Sequence, residues 1–194
     1  MVSDEQIIEG CLSGKRKAYY LLYRKYASVM MAICMRYCKH RDDAEDVLQE
    51  GFIKVFSNME KYRHEGSFEG WIKRIMINTS IDHYQDNLQH AYHIDVDELQ
   101  GTALPDAPTG HDPDPTPYEG LSREKLMAVI QSLPDGYRMV FNLYAIEGMN
   151  HREIAESLSI SENTSKTQLM KARRSLRNKL KELIKKHEFN NHTL

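Results

Sequence analysis

Two groups of side chains in this sequence have the types and spacing to do chemistry. Between Asn163 and Arg174, in the run NTSKTQLMKARR, the exposed part of a helix near its start is expected to present Asn163, Thr164, Ser165, Lys166, Thr167, Gln168, Met170, Lys171, Arg173 and Arg174. Amide and guanidinium groups form paired hydrogen bonds to adenine or guanine edges, while lysines and hydroxyls reach phosphates. That is the chemistry of a DNA-reading surface; a solvated helical hairpin with a basic tail is the plainer alternative. The second group, Asp42, Asp43, Glu45, Asp46 and Glu50, lies on one exposed helix with no His or Cys set at ligand spacing and no Gly-rich phosphate loop nearby. HREIAE, residues 151–156, lacks the second His of a zinc-binding HExxH. No catalytic residue, metal, cofactor or small-molecule substrate is expected.

A reading surface must be held by a packed support. Asn150 and Glu153 have capping-box spacing, so a helix should start at His151 and bury Ile154, Ala155 and Leu158. Ser159, Ile160 and Ser161 then make a turn, with Ile160 dropping into the core and Ser161 capping the next helix. Leu169, Ala172, Leu176, Leu180 and Leu183 step by three or four and anchor that helix. A short helix, a tight turn with an aliphatic plug and a polar second helix fit a helix-turn-helix. Upstream, LSREKLMAVIQSL stops at Pro134, and PDGYRMVFNLYAIEG ends at Gly148.

The acidic group has its own support. In RDDAEDVLQEGFIKVFSNM the apolar positions Ala44, Val47, Leu48, Phe52, Val55, Phe56 and Met59 make one face, and Asp46, Gln49, Glu50 and Lys54 lie opposite. Asp42 or Asp43 is expected to cap the start. KAYYLLYRKYASVMMAICMRYC before it and GSFEGWIKRIMINTSIDHYQ after it are further helices, the latter capped by Ser67 with Phe68, Trp71, Ile72, Ile75 and Thr79 inward. Strand signals are absent. The fold class is all-α, with a small N-terminal helical bundle.

Charge divides the chain. Residues 1–92 hold 13 Lys or Arg and 13 Asp or Glu; residues 93–120 hold no basic residue, seven acids and five of the six prolines; residues 121–194 hold 13 basic and 8 acidic residues. Proline fixes backbone angles and removes donors, and like charges repel, so the middle stretch should be an acidic flexible linker. The expected organisation is a helical domain over 1–92, a linker over 93–120 and a helix-turn-helix domain over 121–194. Cys11, Cys34 and Cys38 read as core residues. No apolar run approaches a membrane span and MVSDEQIIEG lacks signal-peptide order, so a cytoplasmic location is expected.

DDAEDVLQEGFIKVF with FEGWIKRIMINTSID, followed by LPDGYRMVFNLYAIEGMNHREIAESLSISENTSKTQLMKARRSL, resembles the bacterial RNA polymerase sigma factors of the extracytoplasmic-function group, over roughly Lys17 to Leu180 apart from the linker. The resemblance implies a promoter-specificity subunit that binds core RNA polymerase and directs initiation by recognising and melting promoter DNA. It makes Asp46, Gln49 and Glu50 polymerase contacts. Lys61 to Phe68, with Arg63 and His64, would melt the minus-ten element and hold a flipped base, whose extrusion costs a few kcal/mol that contacts must return. Lys73, Arg74 and Asn78 would meet the strands there, with Trp71 in the core. Lys166, Thr167, Met170, Lys171 and Arg173 would read the minus-thirty-five element, with Tyr144 as a backbone or edge contact. An anti-sigma protein, often membrane-anchored, and a linker in the polymerase's RNA exit path are also implied.

The chain departs from the group's pattern at three positions. Ser159 stands where the turn often carries Gly, Ser165 where a β-branched apolar residue is common, and Gln85 where an Arg often follows Asp82. The rival reading is an activator that binds duplex DNA alone and needs another sigma factor.

Overall fold

The computed structural model describes the backbone of residues 2–94 and 122–191 and the side chains of 2–89 and 122–184. Its elements are α1 Asp4–Leu12, α2 Arg16–Tyr37, α3 Arg41–Ser57, a 3-10 turn Met59–Lys61, α4 Phe68–Ile94, α5 Arg123–Gln131, α6 Asp135–Phe141, a π-turn Asn142–Ile146, α7 His151–Leu158 and α8 Glu162–Asn191. No strand occurs among the described residues, so the architecture is all-α. Most of the expected linker, residues 95–120, lies outside the described residues. α4 continues to Ile94, past the expected helix, because QDNLQHAYHI contains no Gly or Pro to stop it.

The apolar stripes set the packing. Leu22, Met30 and Cys34 of α2, Val47 and Val55 of α3, and Ile72 and Met76 of α4 are buried together. All three cysteines are buried in this core. Two expected inward residues, Trp71 and Ile75, are only half-buried, since Met76 and Ile77 carry the inward face at that level of α4. The start of α3 also differs from expectation. Its N-cap is His40, with no side-chain cap bond. Asp42 and Asp43 therefore sit inside the first turn, where they favour the positive end of the helix dipole without capping it.

The C-terminal half does not stand apart from this core. Met139, Val140, Leu143, Ile154, Leu158 and Leu169 join the same buried cluster, while Val129, Leu133, Ala172 and Leu176 form a smaller one between α5 and α8. A helix leaves its last carbonyls without intrahelical partners, and the C-terminal half supplies partners for α2. Gln131 Nε2 donates to Met35 O at 3.0 Å, Asn142 Nδ2 to Arg36 O at 2.7 Å and Arg138 Nε to Tyr37 O at 2.8 Å. The buried Arg138 guanidinium also donates to Leu133 O, Gln131 O and the Asp135 carboxylate. On the other side of the interface, Gln85 Nε2 donates to Ser157 O at 3.0 Å, which gives that unusual residue a structural use.

Candidate nucleic-acid interface

α7 and α8 form the expected helix-turn-helix. Asn150 Oδ1 accepts from Glu153 N at 3.0 Å, and Glu153 Oε2 accepts from Asn150 N at 2.8 Å, so the capping box starts α7 at His151. Ser159 ends it in the left-handed region at φ 55°, a conformation that costs a non-glycine residue about 1 kcal/mol or more. Ser161 Oγ accepts from Thr164 N at 3.0 Å and caps α8. Ile160 is half-buried against the core, and Leu169, Ala172 and Leu176 are buried.

The support leaves Asn163, Lys166, Thr167, Met170, Arg173 and Arg174 exposed along one side of α8, with Lys171 half-buried at its edge. Of the others expected on that side, Thr164 is half-buried beside Ser161, and two are elsewhere. Gln168 is half-buried against Gly136 of α6, where a Cβ would lie within 3.0 Å of its amide. Ser165 is fully buried, because it stands four residues before Leu169 on the inward stripe. Its hydroxyl lies 2.9 Å from His151 Nδ1. The His151 ring in turn stacks on Tyr144, centroids 4.7 Å apart at 26°, and the Arg173 guanidinium lies 5.5 Å from the Tyr144 ring centroid. Tyr144 itself sits in the π-turn.

The second candidate surface is the loop between α3 and α4. Lys61, Tyr62, Arg63, Glu65, Gly66, Ser67, Gly70, Trp71 and Arg74 line a cleft of about 370 Å³. Tyr62 packs on Trp71 at 5.4 Å and on Phe68 at 5.1 Å, and its hydroxyl donates to Gly66 O at 2.7 Å, closing the loop. Ser67 Oγ accepts from Gly70 N and caps α4. His64 takes a positive φ of 59°, and its ring packs tilted against Tyr62 at 4.5 Å. Trp71 thus packs against the core, as expected, and also forms a wall of the cleft. Arg63 and Arg74 supply positive charge at an aromatic hollow, a combination suited to an unstacked base on a phosphate backbone. Asn78 is exposed on α4. Lys73, expected to face outward, is half-buried and pairs with Glu147 at 2.7 Å.

On α3, Asp46, Gln49 and Glu50 are exposed. Lys54 bridges Glu50 at 2.8 Å and Asp82 of α4 at 2.9 Å. Partial burial works against its charge, but the bonds to the two carboxylates outweigh it and raise its pKa above the ordinary lysine value. The acidic face is therefore braced at one end by α4.

Comparison with known proteins identifies the two halves. Residues 22–88 match Sigma-70 region 2, and residues 123–176 match Sigma-70, region 4. The chain is 30% identical over 196 residues to the ECF RNA polymerase sigma-E factor of Haemophilus influenzae, covering 94% of this chain and 98% of that protein. The chain belongs to the ECF sigma factors. The Escherichia coli K12 sigma-E factor is 27% identical over 191 residues, covering 95% and 98% of the two chains. Among solved structures, CnrH in complex with the cytosolic domain of CnrY is similar at 20% identity and TM-score 0.46, covering 92% of this chain and 97% of that one. The sigma factor RpoE of Bartonella quintana, in complex with the anti-sigma factor NepR, is similar at 17% identity and TM-score 0.49, covering 85% and 98%.

As an ECF sigma factor, the protein is a promoter-specific transcription initiation factor. Among the described residues, no helix is long and apolar enough to cross a membrane. Three participants in this sigma factor's surfaces were not legible as such in the sequence: His151, which bonds the buried Ser165; Trp71, which walls the cleft; and Glu147, which holds Lys73. For Ser165 a signal existed, since its period matches Leu169 and Leu176. For Glu147 none did, because its partners come from α2 and α4.

Proposed function

We propose that this sigma factor docks on core RNA polymerase through Asp46, Gln49 and Glu50, melts the minus-ten element with the Lys61–Phe68 loop, and reads the minus-thirty-five element with α8. The observation that carries this reading is the division of α8. Ser165, Leu169, Ala172 and Leu176 are locked into the protein, while Lys166, Thr167, Met170 and Arg173 are exposed to solvent. Arg173 offers a two-pronged donor to a guanine edge, Lys166 and Lys171 offer charge to phosphates, and Met170 and Thr167 offer apolar contact to a thymine methyl. Tyr144 lies beside Arg173 at the edge of this surface.

The aromatic cleft takes one flipped base of the opened minus-ten strand, with His64 at its edge and Arg63, Arg74 and Asn78 along the strand path. Lys73 joins that path once it leaves Glu147. The protein catalyses nothing itself and needs no cofactor; the polymerase makes the bonds. It acts in the cytoplasm, restrained by an anti-sigma protein, which is membrane-anchored in many such systems. The acidic linker occupies the RNA exit path of the polymerase.

In vitro transcription with core polymerase on a genomic library, with start sites mapped, tests this reading. Wild-type chain should direct initiation from one class of promoter. Asp46→Lys with Glu50→Lys should abolish holoenzyme formation while helicity is kept. Arg173→Ala should weaken upstream-element binding by about 1–3 kcal/mol if it meets a base. Tight duplex binding by the free chain with no initiation from core polymerase would point to an activator.

A further inference from the structure

The reading face of α8 has a support that the helix-turn-helix does not require. Tyr144 comes from the π-turn between α6 and α7, and a π-turn inserts one extra residue into a helical turn and so re-aims the side chains beyond it. Here it sets the Tyr144 ring against His151, the first residue of α7. His151 reaches across to α8 through Ser165 Oγ, which has no solvent access to replace that partner. Arg173, two helical turns further along α8, carries its guanidinium over the same Tyr144 ring. One ring therefore contacts both ends of the reading face: its start through His151 and Ser165, its far end through Arg173.

We propose that Tyr144 and His151 are positioning residues that hold Arg173 in the rotamer that reads one guanine-type edge, and so set sequence preference at a single base pair of the upstream element. An arginine side chain free in solvent samples many rotamers, and fixing it on binding costs side-chain entropy. Stacking on Tyr144 pre-orders it, which raises discrimination at the base it meets without touching the others. The inference rests on Arg173 being a base-reading residue. It assigns Tyr144 a role through Arg173 and not through DNA.

Holoenzyme reconstituted from core polymerase and the full chain is titrated with promoter duplexes carrying each base at each upstream-element position. The sigma variants are Tyr144→Leu, Tyr144→Phe, His151→Ala, Arg173→Ala and the Tyr144→Leu/Arg173→Ala pair. Arg173→Ala should erase preference at one position. Tyr144→Leu should lower preference at that same position by about tenfold, with His151→Ala in the same direction, and Tyr144→Phe, which keeps the ring, should stay within about twofold of wild type. The double variant should match Arg173→Ala alone. Equal loss at every position, or additive loss in the double variant, overturns the proposal, since Tyr144 would then serve general packing or meet DNA itself. A Tyr144→Phe variant as weak as Tyr144→Leu overturns it in favour of a hydroxyl contact. If Arg173→Ala leaves every base preference intact, the base-reading assignment falls and this proposal with it. Thermal unfolding of each variant separates folding loss from these outcomes; where Tyr144→Leu does not fold, His151→Ala carries the test, and an unchanged preference in that variant at the position Arg173→Ala erases overturns the proposal.

Discussion

Lys73 of α4 and Glu147, which follows the π-turn, form an ion pair at 2.7 Å across the interface between the two halves of the chain. Glu147 is mostly buried and also accepts from Arg36 Nη2 at 3.3 Å and Tyr37 Oη at 3.5 Å, so one carboxylate gathers donors from α2 and α4. A cation proposed to meet the opened promoter strand is thus spoken for while the halves are packed. The carboxylate also raises the pKa of the Tyr37 hydroxyl, after burial, the larger cause.

Glu147→Gln should both destabilise the chain and free Lys73. Loss of charge-assisted bonds at a mostly buried carboxylate costs about 1–3 kcal/mol, read as a lower urea midpoint. Fluorescence anisotropy should show the free variant binding a single-stranded minus-ten oligonucleotide more tightly than wild type, and Lys73→Ala should remove that gain. An unchanged affinity would mean that Lys73 does not lie on the strand path.

Arg138 should be the most costly polar residue to remove from the interface. It is buried, and its guanidinium serves Tyr37 O, Leu133 O and Gln131 O as well as Asp135. Arg138→Ala strands those carbonyls and leaves a cavity, for a loss of about 3–5 kcal/mol. Arg138→Lys should recover only part of it, because a single ammonium cannot reach acceptors spread around the edge of the guanidinium plane. Asp135→Ala, at an exposed carboxylate, should cost far less. Chemical unfolding of the three variants checks the order.

Much of this was legible in the sequence where period and capping chemistry spoke together. Asn150 with Glu153 placed the start of α7 to the residue, and the leucine stripe placed the buried side of α8. Ser165 was misplaced because its polarity was weighed above its period; four residues before Leu169, it belongs to the inward row. Trp71 falls on the inward stripe of α4 and packs on the core, but the cleft that the loop ahead of α4 opens on its other side has no signal in that period. The packing of the two halves left no sequence signal. An acidic, proline-rich stretch suggests independence, whereas the halves share one buried apolar cluster, through Met139, Val140 and Leu143 among others, and the polar residues Gln131, Arg138 and Asn142 cap the end of α2.

Acidification should loosen the helix-turn-helix through His151. Burial, then the charge of Lys166, hold its imidazole below the ordinary value of 6.5; Glu162 pulls the other way and Arg173 adds to the lowering. The unfolded chain then binds the proton more readily than the folded one, so this contribution to stability is complete above about pH 6.5 and is lost as pH falls through the depressed folded value. His151→Gln can still bond Ser165 but does not titrate. Unfolding midpoints at about pH 7.5 and about pH 5.5 should fall less on acidification for the variant than for wild type; an equal fall would place the proton-linked loss elsewhere.

The packed interface cannot persist while both promoter elements are held. Elements near minus ten and minus thirty-five stand about 25 base pairs apart, roughly 85 Å at 3.4 Å per base pair, whereas a packed chain of this length is roughly 40 Å across. If each half holds the element proposed for it, promoter binding by the holoenzyme should separate α2 from α5 and α6, exposing the Arg138 and Glu147 contacts. Fluorescent labels at Ser57→Cys and Asn178→Cys, both exposed positions, report the separation. The native thiols should not compete for label, since all three are buried and burial pushes Cys34 and Cys38 up to about 12. Energy transfer should be high in the free chain, lower in free Glu147→Lys chain, and lowest once core polymerase and promoter are added. High transfer that survives in the promoter complex would mean the halves remain packed, and one of the two proposed DNA surfaces would have to be withdrawn.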